Sequence, residues 1–417
     1  MNRTGHWWNA LVTLAALAAA APASAHGKDL EDVIPSLYGG NGITLAMVTV
    51  SGLEHSPHFS ASSLRELNSL NSQISSSLGQ IGLNSAVAGY TFDLELGMPV
   101  RREDALGPLV SERARTLGKH HLNVGVTYSR SEFRLFEGDR IDDLTLVFPH
   151  DDSNMDGVLG PNPPIDLRDF ELDTILVNLD LEIEQQVYAL LVTYGVTDTI
   201  DVGMALPLVD MRIRADAVGT VINRGTVPIP SSSFHFFDPA VESPFSSTHG
   251  SKTGIGDLVF RVKKQFVAGN EGLPDFALVG QVKTDTGDES NFLGTGDIRI
   301  AALLVTSQQY GPIGTHVNLG WEWVEGDSRQ NNLRYAAGVD IRLHERLTLI
   351  LDVIGRWEHK GDGIGDHISD GAIGAKINLW RSLLMTWNFL VPLNRTSGLR
   401  ANVVPTIGFE YLFGGDG

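Results

Sequence analysis

The residues best suited to chemistry lie in polar loops. Asp152-Ser153-Asn154-Met155-Asp156-Gly157 sets oxygen-bearing side chains at alternate positions ahead of a glycine, like the opening of a calcium-binding EF-hand loop. The twelfth position, where a bidentate Glu would close such a loop, is Pro163, which excludes a complete EF-hand. Asp152, Asn154 and Asp156 could still hold Ca2+ weakly with Asp151 or Asp166, while an ordinary Asx-rich turn explains the same residues. A second oxygen-and-nitrogen cluster, His359, Asp362, Asp366 and His367, falls in a Gly-rich stretch that solvation alone accounts for. Phe234, Phe236 and Phe237, around His235, make an apolar knot in the long polar loop 215–253: a candidate capture site for an apolar solute, or simple loop packing.

Catalysis finds little support. With Cys 0 there is no thiol nucleophile or thiolate metal site, and no G-x-S-x-G elbow, P-loop or H-E-x-x-H occurs. Gly254-x-Gly256 and Gly361-x-Gly363 lack the third glycine and the helix of a dinucleotide site, and read as strand bends and loops. His316, alternating with Asn318 and Glu322, reads as one member of a polar network rather than a catalytic base. Lys+Arg 31 against Asp+Glu 50 gives a net charge of -19, which argues against a nucleic-acid partner. The expected protein is not an enzyme and needs no cofactor beyond that candidate Ca2+.

These loops need a scaffold, and the chain supplies strands. Arg3, the apolar stretch Trp7 to Ala21 and the small-x-small Ala23-Ser24-Ala25 read as an export signal, residues 1–25. No later window reaches 18 consecutive apolar residues, so a membrane protein would have to be a barrel. Period-2 alternation recurs along the chain: Ile313, Val317, Leu319, Trp321 and Trp323 oppose His316, Asn318 and Glu322, and Leu349, Leu351 and Val353 oppose Asp352. Arg261, Lys263, Asp340 and Glu410 fall on the polar faces, where a wet lumen could solvate them. Trp321, Trp323, Trp357, Trp380 and Tyr411 lie near strand ends, as interfacial girdles require.

The expected fold is all-β: an antiparallel transmembrane β-barrel of about 14 strands, within 12–16. Thirteen segments read directly, including one at 85–100. Parity adds another, either Ile43 to Val50 or a split of 170–196 at Glu184-Gln185-Gln186, where the apolar face switches. Short turns at one end and long polar loops at the other match periplasmic and outer faces. Residues 26–84 break the pattern, with Ser60 as a cap and Leu64, Leu67, Leu70, Ile74 and Leu78 at helical spacing. The polar face of that helix is mostly Ser, Asn and Gln, which suits a plug docked in the lumen of the barrel formed by 85–417; an exposed helix is the other reading.

Several stretches resemble a known family. Tyr194-Gly195-Val196-Thr197-Asp198 running into Asp201-Val202-Gly203 and Leu206-Pro207, Gly254-Ile255-Gly256-Asp257-Leu258, Lys283-Thr284-Asp285-Thr286-Gly287-Asp288 and Leu293-Gly294-Thr295-Gly296-Asp297 are similar to the MetA-pathway phenol-degradation group, akin in kind to FadL-type fatty-acid transporters. The resemblance spans roughly 190–413. It implies a monomeric barrel in the outer membrane of a Gram-negative bacterium, among lipid and lipopolysaccharide, passing small hydrophobic or aromatic compounds passively, with no catalytic residues. The chain departs from the usual pattern by ending Phe413-Gly-Gly-Asp-Gly rather than on the aromatic. The rival expectation is a structural or surface-interaction barrel that transports nothing.

Overall fold

Alternating apolar and polar side chains favour strands because successive Cβ atoms point to opposite faces of a sheet. In a computed structural model these alternations become one antiparallel sheet closed on itself. The structure describes residues 29–37, 43, 49–50, 53–54, 90–93, 98–101, 111–150, 173–223, 236–237, 244–269, 272–326, 328–359, 367–380 and 382–414. The strands are β1 (Leu122–Phe136), β2 (Leu144–Pro149), β3 (Thr174–Thr197), β4 (Ile200–Ile222), β5 (Phe245–Ile255), β6 (Val259–Val267), β7 (Asp275–Lys283) and β8 (Arg299–Tyr310). They continue as β9 (Ile313–Val324), β10 (Asn332–His344), β11 (Leu347–Glu358), β12 (His367–Trp380), β13 (Leu383–Pro392), β14 (Leu399–Ala401) and β15 (Val404–Phe413). Twelve of them form the ring, in the order β1, β3, β4, β6 through β13, β15 and back to β1. Turns such as Thr197 to Ile200 and Tyr310 to Ile313 join strands at one end, and the longer connections lie at the other.

The expected count of about 14 is thereby corrected to twelve, the lower bound of the range. Thr49–Val50 pairs with Leu53–Glu54, and Tyr90–Asp93 pairs with Met98–Arg101; both are separate two-stranded sheets, so among the described residues neither expected early strand enters the ring. Nor does 170–196 split. β3 runs unbroken for 24 residues, paired along its length with β4, which runs for 23. The face switch has another cause. Near the short turns, Tyr188 and Tyr194 of β3 and Val202, Met204 and Leu208 of β4 are exposed on the outside of the ring. Beyond the paired Tyr188 and Leu208, the same outer face carries Gln186, Glu184 and Glu182 opposite Asp210, Arg212 and Arg214, while Ile183, Leu181, Met211 and Ile213 are buried inside. One continuous hairpin leaves an apolar surrounding and enters water.

Around the ring, Val126, Phe260, Leu278, Leu304, Leu319, Val353, Ile373, Trp387 and Phe409 are exposed on the outer wall. A continuous apolar belt of this extent is a membrane surface rather than a water-facing one. No helix among the described residues is long and apolar enough to span a bilayer, so the strands do the crossing. At the long-loop end, β2 and β5 flank the extended halves of β3 and β4. The apolar core there joins Val177, Leu179 and Met211 to Leu30, Ile34 and Leu37. Leu30 N–H donates to Asn291 Oδ1 at 3.1 Å, Asn291 Nδ2 donates to Asp29 at 3.0 Å, and Lys252 lies 3.7 Å from Asp29. Residues 29–37 are thus pinned at the long-loop end.

Candidate functional site

The inward faces of β4 and β6 to β11 carry charge, and a short segment from outside the ring answers it. Ser111 to Leu117 is a strap inside the lumen near the short-turn end. Ser111 Oγ donates to Asp352 of β11 at 3.2 Å, and Ala114 N–H donates to Ser307 of β8 at 3.2 Å. Arg113 pairs with Asp340 of β10 at 2.5 Å, and Arg115 with Asp275 of β7 at 2.7 Å. Leu117 N–H reaches both carboxylate oxygens of Asp201 on β4, at 3.2 and 3.0 Å. In the ring, β4 and β11 stand six places apart of twelve, so seven residues run from one side of the lumen to the other. Seven extended residues reach roughly 20 Å, enough for that crossing.

Two cations, one of them fully buried, hold the centre of the strap. Lys263 of β6 is fully buried, and its ammonium donates to Glu112 at 3.2 Å, to the Arg113 carbonyl at 3.2 Å and to the Arg115 carbonyl at 3.1 Å. Three donors meet three acceptors, the condition under which a buried ammonium is tolerable. Arg261 pairs with Glu112 as well, and the Asn318 carboxamide faces the backbone of Glu112 at 2.8 and 3.1 Å. His316 sits buried beneath the strap, 2.7 Å from Asp352 and 3.6 Å from Asp340. It belongs to a polar network, as its position implies, but with these two aspartates rather than with Asn318 and Glu322.

Beyond the strap lies a cavity of about 310 Å³ whose floor includes Ser111 and Glu112. Its wall on β3, β4 and β6 is mainly apolar, with Leu191, Ala205, Val209 and Val259 beside Gln185, Thr193 and Arg261, and Leu293 adds to the apolar part. The wall from β8 round to β11 carries Arg299, Glu322, Arg334 and Arg356. The Gly-Asp motifs meet beside it. Asp257 accepts hydrogen bonds from Gly287 N–H at 2.9 Å, from Thr295 N–H at 2.9 Å and from Thr295 Oγ1 at 3.0 Å, and lies 3.2 Å from Lys283. Thr286 Oγ1 donates to the Gly256 carbonyl at 3.0 Å. Three stretches that read as separate turns are one knot around a buried aspartate.

The sequence-derived candidates fall elsewhere. Asp152, Asn154 and Asp156, Phe234, the expected helix at 60–78, the export signal, and Asp362 and Asp366 lie outside the described residues. Phe236 is exposed and Phe237 packs half-buried on the core, where a Cβ at Gly219 would meet its ring at 2.9 Å and Ile43 at 3.2 Å. Neither lines the cavity among the described residues. His367 meets the Tyr335 hydroxyl at 2.8 Å, and His359 packs edge-on against Trp321 with centroids 5.7 Å apart. The strap went unread. Its signal was the run Glu112-Arg113-Ala114-Arg115 standing before a barrel whose inward faces hold Arg261, Lys263, Asp275 and Asp340.

The family model described, under a provisional label, as MetA-pathway of phenol degradation matches residues 174–382, half the chain. No curated protein matches the sequence. Among solved structures, a COG4313 outer membrane channel from Pseudomonas putida F1 is similar at 12% identity over 73% of this chain and 99% of that one, with a TM-score of 0.45. The CymD monoaromatic hydrocarbon channel is similar at 10% identity over 83% and 98%, with a TM-score of 0.35. The Ralstonia pickettii toluene transporter TbuX gives 9% identity over 73% and 92%, with a TM-score of 0.33. These structural likenesses are too distant to bear on function.

Proposed function

The chain belongs to the MetA-pathway phenol-degradation family, and from that premise we propose that it is an outer-membrane channel for passive uptake of small hydrophobic or aromatic compounds. One observation supports this above the rest: an apolar outer belt encloses a cavity that is itself half apolar. A solute held back by the polysaccharide leaflet leaves water for that cavity and moves down its gradient, with no catalytic step. The strap is the remaining obstacle, and passage requires it to yield or to leave room at its side. Its density of bonds favours the second reading, a structural or surface-interaction barrel that transports nothing.

The test exploits a chain with no cysteine. Thr116 Oγ1 lies 3.5 Å from Gln265 Oε1, so in the double variant Thr116→Cys/Gln265→Cys a short reducible bis-methanethiosulfonate crosslinker can tie the strap to β6. In lipopolysaccharide-containing liposomes, wild type is expected to take up phenol faster than a sugar of similar size. The crosslinked pair is expected to stop that uptake and its reduction to restore it. Uptake that survives the tie shows passage beside the strap, and no uptake by inserted wild type leaves the structural reading.

Further assignments belong to the same proposal. Residues 1–25 are the export signal, the helix at 60–78 docks in the lumen on its Ser, Asn and Gln face, and Phe234, Phe236 and Phe237 gather solute. The barrel works as a monomer among lipid and lipopolysaccharide, without nucleic acid. The loop at 152–157 takes Ca2+, and a melting temperature unmoved by EGTA would remove that assignment.

A further inference from the structure

The charged wall of the cavity holds guanidinium donors that the described acids leave without hydrogen bonds. Lys283 stands directly across from Arg299, and Arg334 directly across from Arg356, two like-charge pairs in adjacent-strand register. Such juxtapositions destabilise a sheet unless something answers them. The acids nearby are committed: Asp257 to the Gly-Thr knot and Lys283, Glu322 to Asn332 at 3.1 Å and Arg334 at 3.0 Å, and Asp370 to Arg400. Arg299 donates through Nη2 to Gln330 at 2.8 Å but meets Glu322 and Asp297 only at 3.7 and 3.8 Å, and Arg356 meets Glu358 only at 3.9 Å, beyond hydrogen-bond reach. Arg299 is only 2% exposed, and Arg356 is buried among charges of both signs, attracted by Glu358 and Glu322 and repelled by Arg299 and Arg400. Among the described residues, Arg299 Nε and Nη1, Arg356 Nε and the Asn388 side-chain amide are buried donors without a hydrogen-bond acceptor, and all three residues line the cavity. A buried charged donor left without an acceptor is costly, and an incoming anion would remove that cost.

We propose that this wall is a carboxylate subsite, and that the cavity takes a small aromatic monocarboxylate with its ring on the apolar wall and its carboxylate on Arg299 and Arg356. The assignment rests on the channel reading and names its substrate class. Both halves of the ligand have a counterpart: Leu191, Val209 and Val259 offer the ring an apolar face, and the guanidinium groups across the lumen offer the carboxylate paired donors. The acids on that wall disfavour a dianion.

Full-length protein in detergent is titrated with benzoate, its neutral isostere benzamide, and acetate, at pH 7.5. Benzoate is expected to bind at least about tenfold tighter than either, the worth of one charge-assisted contact. Arg299→Gln/Arg356→Gln is expected to erase the preference for benzoate over benzamide, and Arg346→Gln, in an exposed short turn, to leave it. Equal binding of benzoate and benzamide by wild type overturns the carboxylate subsite whatever the variants do. Equal binding of benzoate and acetate overturns the aromatic part. Reversal potentials across bilayers in a sodium benzoate gradient separate this from the parent reading. An anion-selective current supports both readings, a current without anion preference counts against the subsite alone, and no current from inserted protein counts against the channel.

Discussion

Lys263 shows how a single side chain decides the state of the lumen. Its three donors are all consumed by the strap, so Lys263→Met strands two backbone carbonyls and leaves Glu112 to Arg261 alone of its two cations. Breaking a buried pair from one side costs about 3–5 kcal/mol. The variant is expected to remain a heat-modifiable barrel while its single-channel conductance rises several-fold; unchanged conductance would mean that the strap is held elsewhere. Gly195 matters for a different reason. A Cβ there would run into the Gly118 carbonyl, where His120 N–H donates to Gly195 O at 2.8 Å and Gly195 N–H donates to His121 O at 2.9 Å. Gly195→Ala is expected to lower the urea midpoint through loss of this seat for the strap's end. The inward placement of Lys263, Asp340 and Glu410 was legible from period 2 alone. Their partners were not, because alternation says which face a charge takes and nothing about what crosses the lumen to meet it.

At the scale of elements, β3 and β4 carry a solvent boundary in their sequence. Tyr188 and Leu208 mark it on paired residues, and a switch of apolar face that suggested a broken strand is instead a change of medium along an intact one. Two substitutions on the outer face of β4 test this. Met204→Arg puts a charge against lipid and is expected to cost about 2 kcal/mol or more in unfolding from liposomes, whereas Arg212→Met, eight residues on, is expected to stay within about 0.5 kcal/mol. Equal costs would move the boundary. Above it, burial pushes the Glu184 carboxyl up, but hydrogen bonds from Arg130, each 3.0 Å, and from Gln186 at 2.7 Å outweigh this and hold it below the ordinary value. A depressed carboxylate stabilises the fold above its unfolded pKa, and that contribution is lost as pH falls through the folded one. Amide protection factors, corrected for the intrinsic pH dependence of exchange, are therefore expected to fall in the extended halves of β3 and β4 below about pH 4, and Glu184→Gln to flatten that dependence.

For the whole molecule, all-β class, antiparallel closure, the short and long ends and the outward aromatics were readable from the chain. The strand number was not. Parity arguments counted every apolar stretch, yet among the described residues Thr49–Val50 and Leu53–Glu54 pair with each other, as do Tyr90–Asp93 and Met98–Arg101, and not with the ring. The net charge of -19 was equally misleading about the interior, where Arg299, Arg334 and Arg356 line one wall. Charge summed over a chain says nothing of where a closed sheet gathers it.

Residues 29–37 and the close of β15 lie far apart along the barrel axis. Leu30 and its neighbours are bound to Asn291 at the long-loop end, while β15 finishes against Leu122 at the short-turn end. Once β1 has zipped onto β15 the wall offers no sideways gap, so a segment arriving later from the short-turn side has only the lumen, crossed by the strap, as its route. Docking and closure are thereby coupled in time: Leu30 delivered before the last strand locks passes an open seam, and Leu30 delivered afterwards meets the strap.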